Sequence, residues 1–317
     1  MEIRDELLKL GKEKAKKDET GEMLSAVVKQ KLGIVSEQEM PFTQLRASGV
    51  FGLCPRRAVF SMILPMPPPV VTKNNMSMQL RMDTGTFLHE YFQDFVLGPA
   101  GVLFGNWKRS YTDKDGVLLD EKERMCFMPP PTPHPESVGW CGRWKFEEHH
   151  IVNDELHLSG HHDGWIDKQR MKEYLAEIPF TSEEPVDLVL LEIKSTDDNG
   201  LRKMKDAGGG PGLLEDYKTQ ATIYQRSVGV TETLFFYIDR KYFSMFTFTY
   251  KGEDKYWDYT KEKSEMIFGS VDAKKLPPKH VECSFKKSKR AKECPFIEFC
   301  FCEDADSVWD IMETKED

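Results

Sequence analysis

The chain has 317 residues, 39% of them hydrophobic and 11% aromatic, with a formal net charge of −9 at pH 7. This composition argues for a globular protein with a substantial core, in one large domain or two of ordinary size. No apolar run is long enough to span a bilayer, and the acidic balance argues against a protein that coats nucleic acid non-specifically, although a local basic groove stays open.

The amino terminus, Met-Glu-Ile-Arg-Asp-Glu, has neither the basic start nor the apolar core of a secretory signal. A cytoplasmic, reducing setting is therefore expected, where the 7 cysteines are free thiols or metal ligands. Residues 1–34 place Leu, Ile and Val at helical spacing among charges and break near Asp18–Gly21, which predicts two amphipathic helices packed on the main domain. At Val50–Phe60, Cys54 is followed by Pro55 and two arginines at a predicted helix start. Leu64–Pro69 is a Pro-rich loop. Gly85–Leu97 predicts a helix with His89 beside an aromatic face, where a lone histidine is more often a core or surface residue than a ligand.

A second Pro-rich loop, Pro129–Pro135, separates an irregular, β-containing stretch from a strand that begins near Glu155. Unbroken alternation over Leu156–Asp167 places His161, Asp163 and Trp165 on one face and His162 on the other. Asp163 is thus the candidate ligand, with both histidines supporting or incidental. A zinc hydrolase built on His161 and His162 is disfavoured by the same geometry. Asp187–Ser195 reads as a buried strand that ends by presenting Glu192 and Lys194 on one face. The polar stretch Asp197–Gly212, with Arg202, Lys203 and Lys205, is either a disordered insertion or a basic flap. Glu215–Val228 predicts a helix with Gln220 and Tyr224 four apart on one face. Strands at Thr231–Ile238 and Tyr242–Tyr250 and a helix at Asp254–Phe268 follow. The chain then reaches Cys283, the basic run Lys286–Lys292, the segment Cys294–Cys302 and an acidic tail.

Two carboxylates from neighbouring strands, Asp163 and Glu192, can fix one or two hard divalent cations, Mg2+ or Mn2+, with the Ile193 carbonyl completing the coordination. Such an ion polarises a scissile phosphate and acidifies a bound water, while Lys194 orients that water or offsets developing charge. These three residues alone are more simply a solvated acid and base at a strand edge.

Their order in the chain carries more. A helix with His89, then Gly160-x-x-Asp163, Glu192-x-Lys194 and Gln220-x-x-x-Tyr224, resembles the PD-(D/E)XK nuclease superfamily and, within it, the RecB-type exonucleases. The resemblance spans roughly Cys54 to Cys300. It implies a restriction-endonuclease-like α/β fold, with a central mixed sheet flanked by helices. By position, His89, Asp163 and Glu192 would bind metal, Lys194 would be catalytic, and Gln220 and Tyr224 would lie beside the active site and contact DNA. The implied organisation is a helical segment at 1–40, a nuclease domain at 41–302 and an acidic tail at 303–317.

A sub-branch of these nucleases, including the CRISPR-adaptation and AddB types, holds a [4Fe–4S] cluster with one cysteine before the core and three after it. Cys54, Cys294 and Cys300 match that pattern. Ala291 stands where the family has its remaining cysteine, so Cys283 is the substitute and Cys302 the reserve. Zinc is the alternative occupant of four thiolates. Cys126 and Cys141 lie outside the pattern. The resemblance implies a metal-dependent exonuclease acting on single-stranded DNA or duplex ends, with no membrane partner and room for a homo-oligomer. The alternative is a catalytically silent, cluster- or zinc-bearing DNA-binding scaffold of a recombination or CRISPR-adaptation complex. The intact set of five polar residues speaks against it. The basic run, held near the cleft, is expected to contact phosphate.

Overall fold

The structure is a computed structural model that describes residues 44–64, 73–113, 115, 117–129, 140–196, 214–302 and 308–309. The helices expected at 1–34, the stretch Asp197–Gly212 and most of the acidic tail lie outside the described residues. The chain divides into two units, Met1–Glu39 with Pro67–Thr84 and Met40–Met66 with Gly85–Asp317. Of the first unit, residues 73–84 are described, and they are helical.

A two-residue strand, β1 (Leu45–Arg46), precedes helix α1 (Pro55–Ile63), which begins on Cys54 with proline in its first turn, where a missing N–H is no loss. Helix α2 (Lys73–Tyr91) continues into a π-helical turn, Phe92–Leu97. The stretch expected to be irregular but β-containing is a regular hairpin of β2 (Leu103–Thr112) and β3 (Leu118–Phe127). β2 alternates strictly, but Gly105 and Arg109 take buried positions and blur its pattern. β3 is a charged strand, exposed over most of its length, so burial imposes no period on its sequence.

Short strands β4 (Trp140–Cys141) and β5 (Lys145–Glu147) pair with β2. Next come β6 (His149–Asn153), β7 (Leu158–His162), β8 (Trp165–Asp167), α3 (Lys168–Leu175), β9 (Leu188–Thr196) and α4 (Glu215–Val228). The chain continues through β10 (Glu232–Asp239), β11 (Met245–Lys251) and α5 (Asp254–Asp272). It closes with a 3-10 turn at Val281–Cys283 and two short helices, α6 (Lys289–Lys292) and α7 (Ile297–Cys300).

Among the described residues, the main sheet runs β11-β10-β9-β8-β2-β3, with β9 and β10 parallel and the other neighbours antiparallel. A second sheet has the order β1-β7-β6. The central strand β9 is buried on both faces, which explains its unbroken apolar run. Its odd residues, Val189, Leu191 and Ile193, join Leu88 and Phe92 of α2 and its π turn. Its even residue Leu190 joins Ile223 and Tyr224 of α4. Helices therefore cover both faces of a central mixed sheet. Each fully buried Leu or Ile here contributes roughly 1.5–3 kcal/mol of transfer free energy.

One expectation fails. Leu156–Asp167 is not a single strand: β7 belongs to the small sheet and β8 to the main one. The chain changes sheets at Asp163–Gly164, where Gly164 has φ +123°, a conformation that L side chains rarely adopt. Alternation is lost across the break, so His162, Asp163 and Trp165 are all buried while His161 is exposed.

Candidate active site

Four elements deliver polar side chains to the break between β7 and β8. β9 turns its odd backbone groups toward β8, as the bond from Leu191 N–H to the Gly164 carbonyl shows. One step on, β8 has no backbone to offer, and the Asp163 carboxylate takes its place, with Oδ2 accepting the Ile193 N–H at 2.6 Å. On an extended strand the N–H and C=O of one residue leave the same side, so the Ile193 carbonyl faces this edge as well. Gln93, from the π-helical turn, donates Nε2–H to the Asp163 carbonyl at 3.0 Å. His89 Nδ1 lies 3.0 Å from Asp163 Oδ1 and 3.6 Å from Glu148 Oε1.

On the other side of β9, Lys194 Nζ donates to Glu192 Oε2 at 2.6 Å and to Gln220 Oε1 at 3.3 Å. Gln220 Nε2 in turn donates to the Tyr224 hydroxyl at 3.2 Å. The (i, i+4) spacing on α4 is what lets one residue hold the next. His89, Asp163, Glu192, Lys194, Gln220 and Tyr224 are thus drawn into two hydrogen-bonded groups joined through β9.

Burial sets the charge states. It pushes the Glu192 carboxyl up to about 7, against the pull of Lys194 and with help from Asp163. Asp163 is equally buried, but His89 and Lys194 hold its carboxyl below the usual range. Burial pulls down His89 as well, yet Asp163 and Glu148 more than offset this and its imidazole rises to about 10. Lys194 is likewise held charged, since Glu192 and Asp163 outweigh its own desolvation.

Glu192 Oε1 is buried and has no hydrogen-bond partner among the described residues. A buried oxygen with open lone pairs, beside an acidic cluster, is the acceptor that a cation would satisfy. His89, Glu148 and Asp163 bring ligand atoms within 4.8 Å of one another. A hard divalent cation fits this donor set. Glu148 was missed in the sequence, because only the corner between β5 and β6 carries it here and no motif marks that corner. Asp167 shows the contrast: Oδ1 accepts two N–H groups at the start of α3 and Oδ2 accepts those of Val186 and Asp187. Its lone pairs serve the fold.

Neither histidine of the His161–His162 pair reaches the site as a ligand pair. His162 is fully buried against Trp165, with Nδ1 accepting the Gly164 N–H at 3.1 Å. Burial pushes its imidazole down to about 4, so it stays neutral.

Cys54, Cys283, Cys294 and Cys300 line one cavity, together with Ala291, Phe60 and Ile297. Cys302 is exposed and is not among the lining residues, and Cys126 sits half-buried on β3, away from the cavity. Burial and the neighbouring Cys54 raise the Cys283 thiol. The turn that presents Cys54 is held from far along the chain. Lys263 Nζ donates to the Val50 and Phe51 carbonyls at 2.8 and 2.9 Å, Tyr259 donates to Phe51 at 2.8 Å, and Arg290 donates to Gly52 at 2.6 Å. In the basic run, Arg290 also bonds Glu282 and Lys286 pairs with Glu298, while Lys287, Lys289 and Lys292 are exposed.

No protein-family model and no curated protein matches the chain. Among solved structures, SSO0001 is similar with a TM-score of 0.38 and 13% identity, over 89% of this chain and 96% of its own. The alkaline exonuclease LHK-Exo from Laribacter hongkongensis gives 0.34 and 12%, over 74% of this chain and 90% of its own. In complex with dAMP it gives 0.36 and 12%, over 73% and 89%.

Proposed function

We propose that the chain is a divalent-metal-dependent deoxyribonuclease of the PD-(D/E)XK type, an exonuclease on single strands or duplex ends. The observation that carries this reading is Lys194, held between the Glu192 carboxylate and the Gln220 amide at the end of β9, next to Asp163. In this reading Asp163, Glu192, the Ile193 carbonyl and His89 hold Mg2+ or Mn2+, and Glu148 adds a carboxylate. The ion supplies electrophilic polarisation of the phosphate and acidifies a water. Lys194 keeps its charge, orients that water and offsets negative charge developing on the phosphate. Gln220 fixes the ammonium in place, and Tyr224 fixes Gln220. Buried surroundings strengthen each of these interactions.

The same proposal assigns Cys54, Cys283, Cys294 and Cys300 to a [4Fe–4S] cluster, with zinc as the alternative for the same four sulfurs. Their convergence on one cavity supports it. The role is structural, joining the start of α1 to the carboxy-terminal helices.

Digestion of end-labelled single-stranded and duplex DNA with Mg2+ or Mn2+ tests the enzyme. Degradation that needs metal and disappears in Lys194→Ala is expected, and the order of label release gives polarity. No cleavage by anaerobically prepared protein would sink the reading. Iron and sulfide in brown protein are expected for the cluster; colourless protein with one zinc would replace it.

A further inference from the structure

We infer that His150 and His161 form an exposed clamp for a borderline transition-metal cation of the Zn2+, Ni2+ or Cu2+ class, separate from the oxygen-rich site next to it. The two residues stand directly opposite on β6 and β7. Directly opposed residues of an antiparallel pair share one face and bring their side chains together. Here the rings stack, with centroids 4.6 Å apart and planes at 21°. Both side chains are exposed, so a cation can reach them from water.

Packing does not explain this pair. The neighbouring pair, His149 and His162, turns to the other face, where His162 is buried and both rings pack on Trp165. Of those two, His162 is fully buried and His149 half-buried. His150 and His161 are both exposed and, among the described residues, stack only on each other. Two neighbouring imidazoles, turned edge-on, are a donor set that such a cation takes.

The surroundings favour a positive ion. Glu148 stands two residues before His150 and Asp163 two residues after His161, where the strands have ended and both carboxylates turn toward His89. A cation on the imidazoles would share no ligand with them. The two places also differ in kind. Carboxylates and a backbone carbonyl suit Mg2+ and Mn2+, whereas two imidazoles suit Zn2+, Ni2+ and Cu2+ and hold Mg2+ poorly. Ions of the two classes should sort between them.

The test is Ni2+ binding by equilibrium dialysis, on the full chain in excess Mg2+, comparing wild type with His150→Ala, His161→Ala and a His157→Ala control. His157 stacks on Phe268 and lies outside the pair. The expected result is one equivalent of Ni2+ fewer in each pair variant and no change in the control. His150→Phe and His161→Phe, which keep an aromatic ring but lose the nitrogen donors, should also lose that equivalent. Bound Ni2+ should shield both histidines from carbethoxylation in wild type. Equal stoichiometry in all the proteins, or carbethoxylation of both histidines at the same rate with and without Ni2+, would overturn the inference. No nucleic acid enters the measurement, so the outcome is independent of the nuclease reading.

Discussion

Gly160→Ala is a small change with a calculable cost. A Cβ at Gly160 would lie 2.6 Å from the Tyr224 hydroxyl, 2.8 Å from Cε1 and 3.1 Å from Cζ. Contacts of this kind settle near 3.4 Å or beyond, so the ring must retreat by about 0.8 Å. It has little room, since Tyr224 is 2% exposed on a helix buried along seven successive residues. A retreat of that size would stretch its 3.2 Å bond with Gln220 to about 4 Å, outside hydrogen-bonding range. Overpacking costs about 1–3 kcal/mol and the lost bond about 1 more. For a chain of 317 residues, a total of about 2–4 kcal/mol corresponds to a fall in Tm of roughly 3–6 °C. Thermal unfolding of Gly160→Ala, Tyr224→Leu and the double variant measures it. Because Leu lacks the distal ring atoms, the double variant should be more stable than the sum of the singles by about 1 kcal/mol or more. Additivity within about 0.5 kcal/mol would refute the steric account.

Because burial raises the Glu192 carboxyl to about 7, divalent binding must expel a proton there. The His89 imidazole, raised to about 10, must lose its proton to ligate as well. Mg2+ or Mn2+ affinity should therefore fall roughly tenfold for each pH unit lost above neutrality and more steeply below it, and titration calorimetry in buffers of different ionisation enthalpy should detect proton release. An affinity that is flat between about pH 6 and 8 would contradict it. Lys263→Met removes the ammonium's bonds to the Val50 and Phe51 carbonyls, which keep the Leu53 N–H and the Tyr259 hydroxyl as partners, at about 1.5–3 kcal/mol for a lost charged donor. A lower Tm and faster metal loss to a chelator are expected; wild-type values in both assays would show that the Cys54 turn needs no such support.

Much of the scaffold could be read before any coordinates. β9 and α4 were legible because each is defined by its own residues: an apolar run buried on both faces, and a helix carrying Gln220 and Tyr224 one turn apart. β3 was not legible, since an exposed charged strand owes its conformation to its partner β2. Glu192 and Lys194 were placed together by the two-residue period of one strand. His89 needed the resemblance, because its partner Asp163 lies 74 residues away. Glu148 and the Lys263 clasp were invisible for a related reason: backbone corners and carbonyls 213 residues distant leave no trace in local sequence. The break at Gly164 misled the alternation argument, which holds only while a strand stays in one sheet.

The bond between Asp163 and the Ile193 N–H bears on how an inactive form of this protein should be made. In Asp163→Ala that buried N–H loses its acceptor, at about 1–3 kcal/mol, and His89 loses its counter-charge as well. Lost activity would then mix a damaged sheet junction with a missing ligand, and the two could not be told apart by assay alone. Asp163→Asn keeps an oxygen for Ile193 while discarding the charge. Beside it, Lys194→Ala removes a group that holds up no backbone. A dead variant meant to trap a complex belongs at those substitutions, which leave the Ile193 N–H with an acceptor and the seam between β8 and β9 closed.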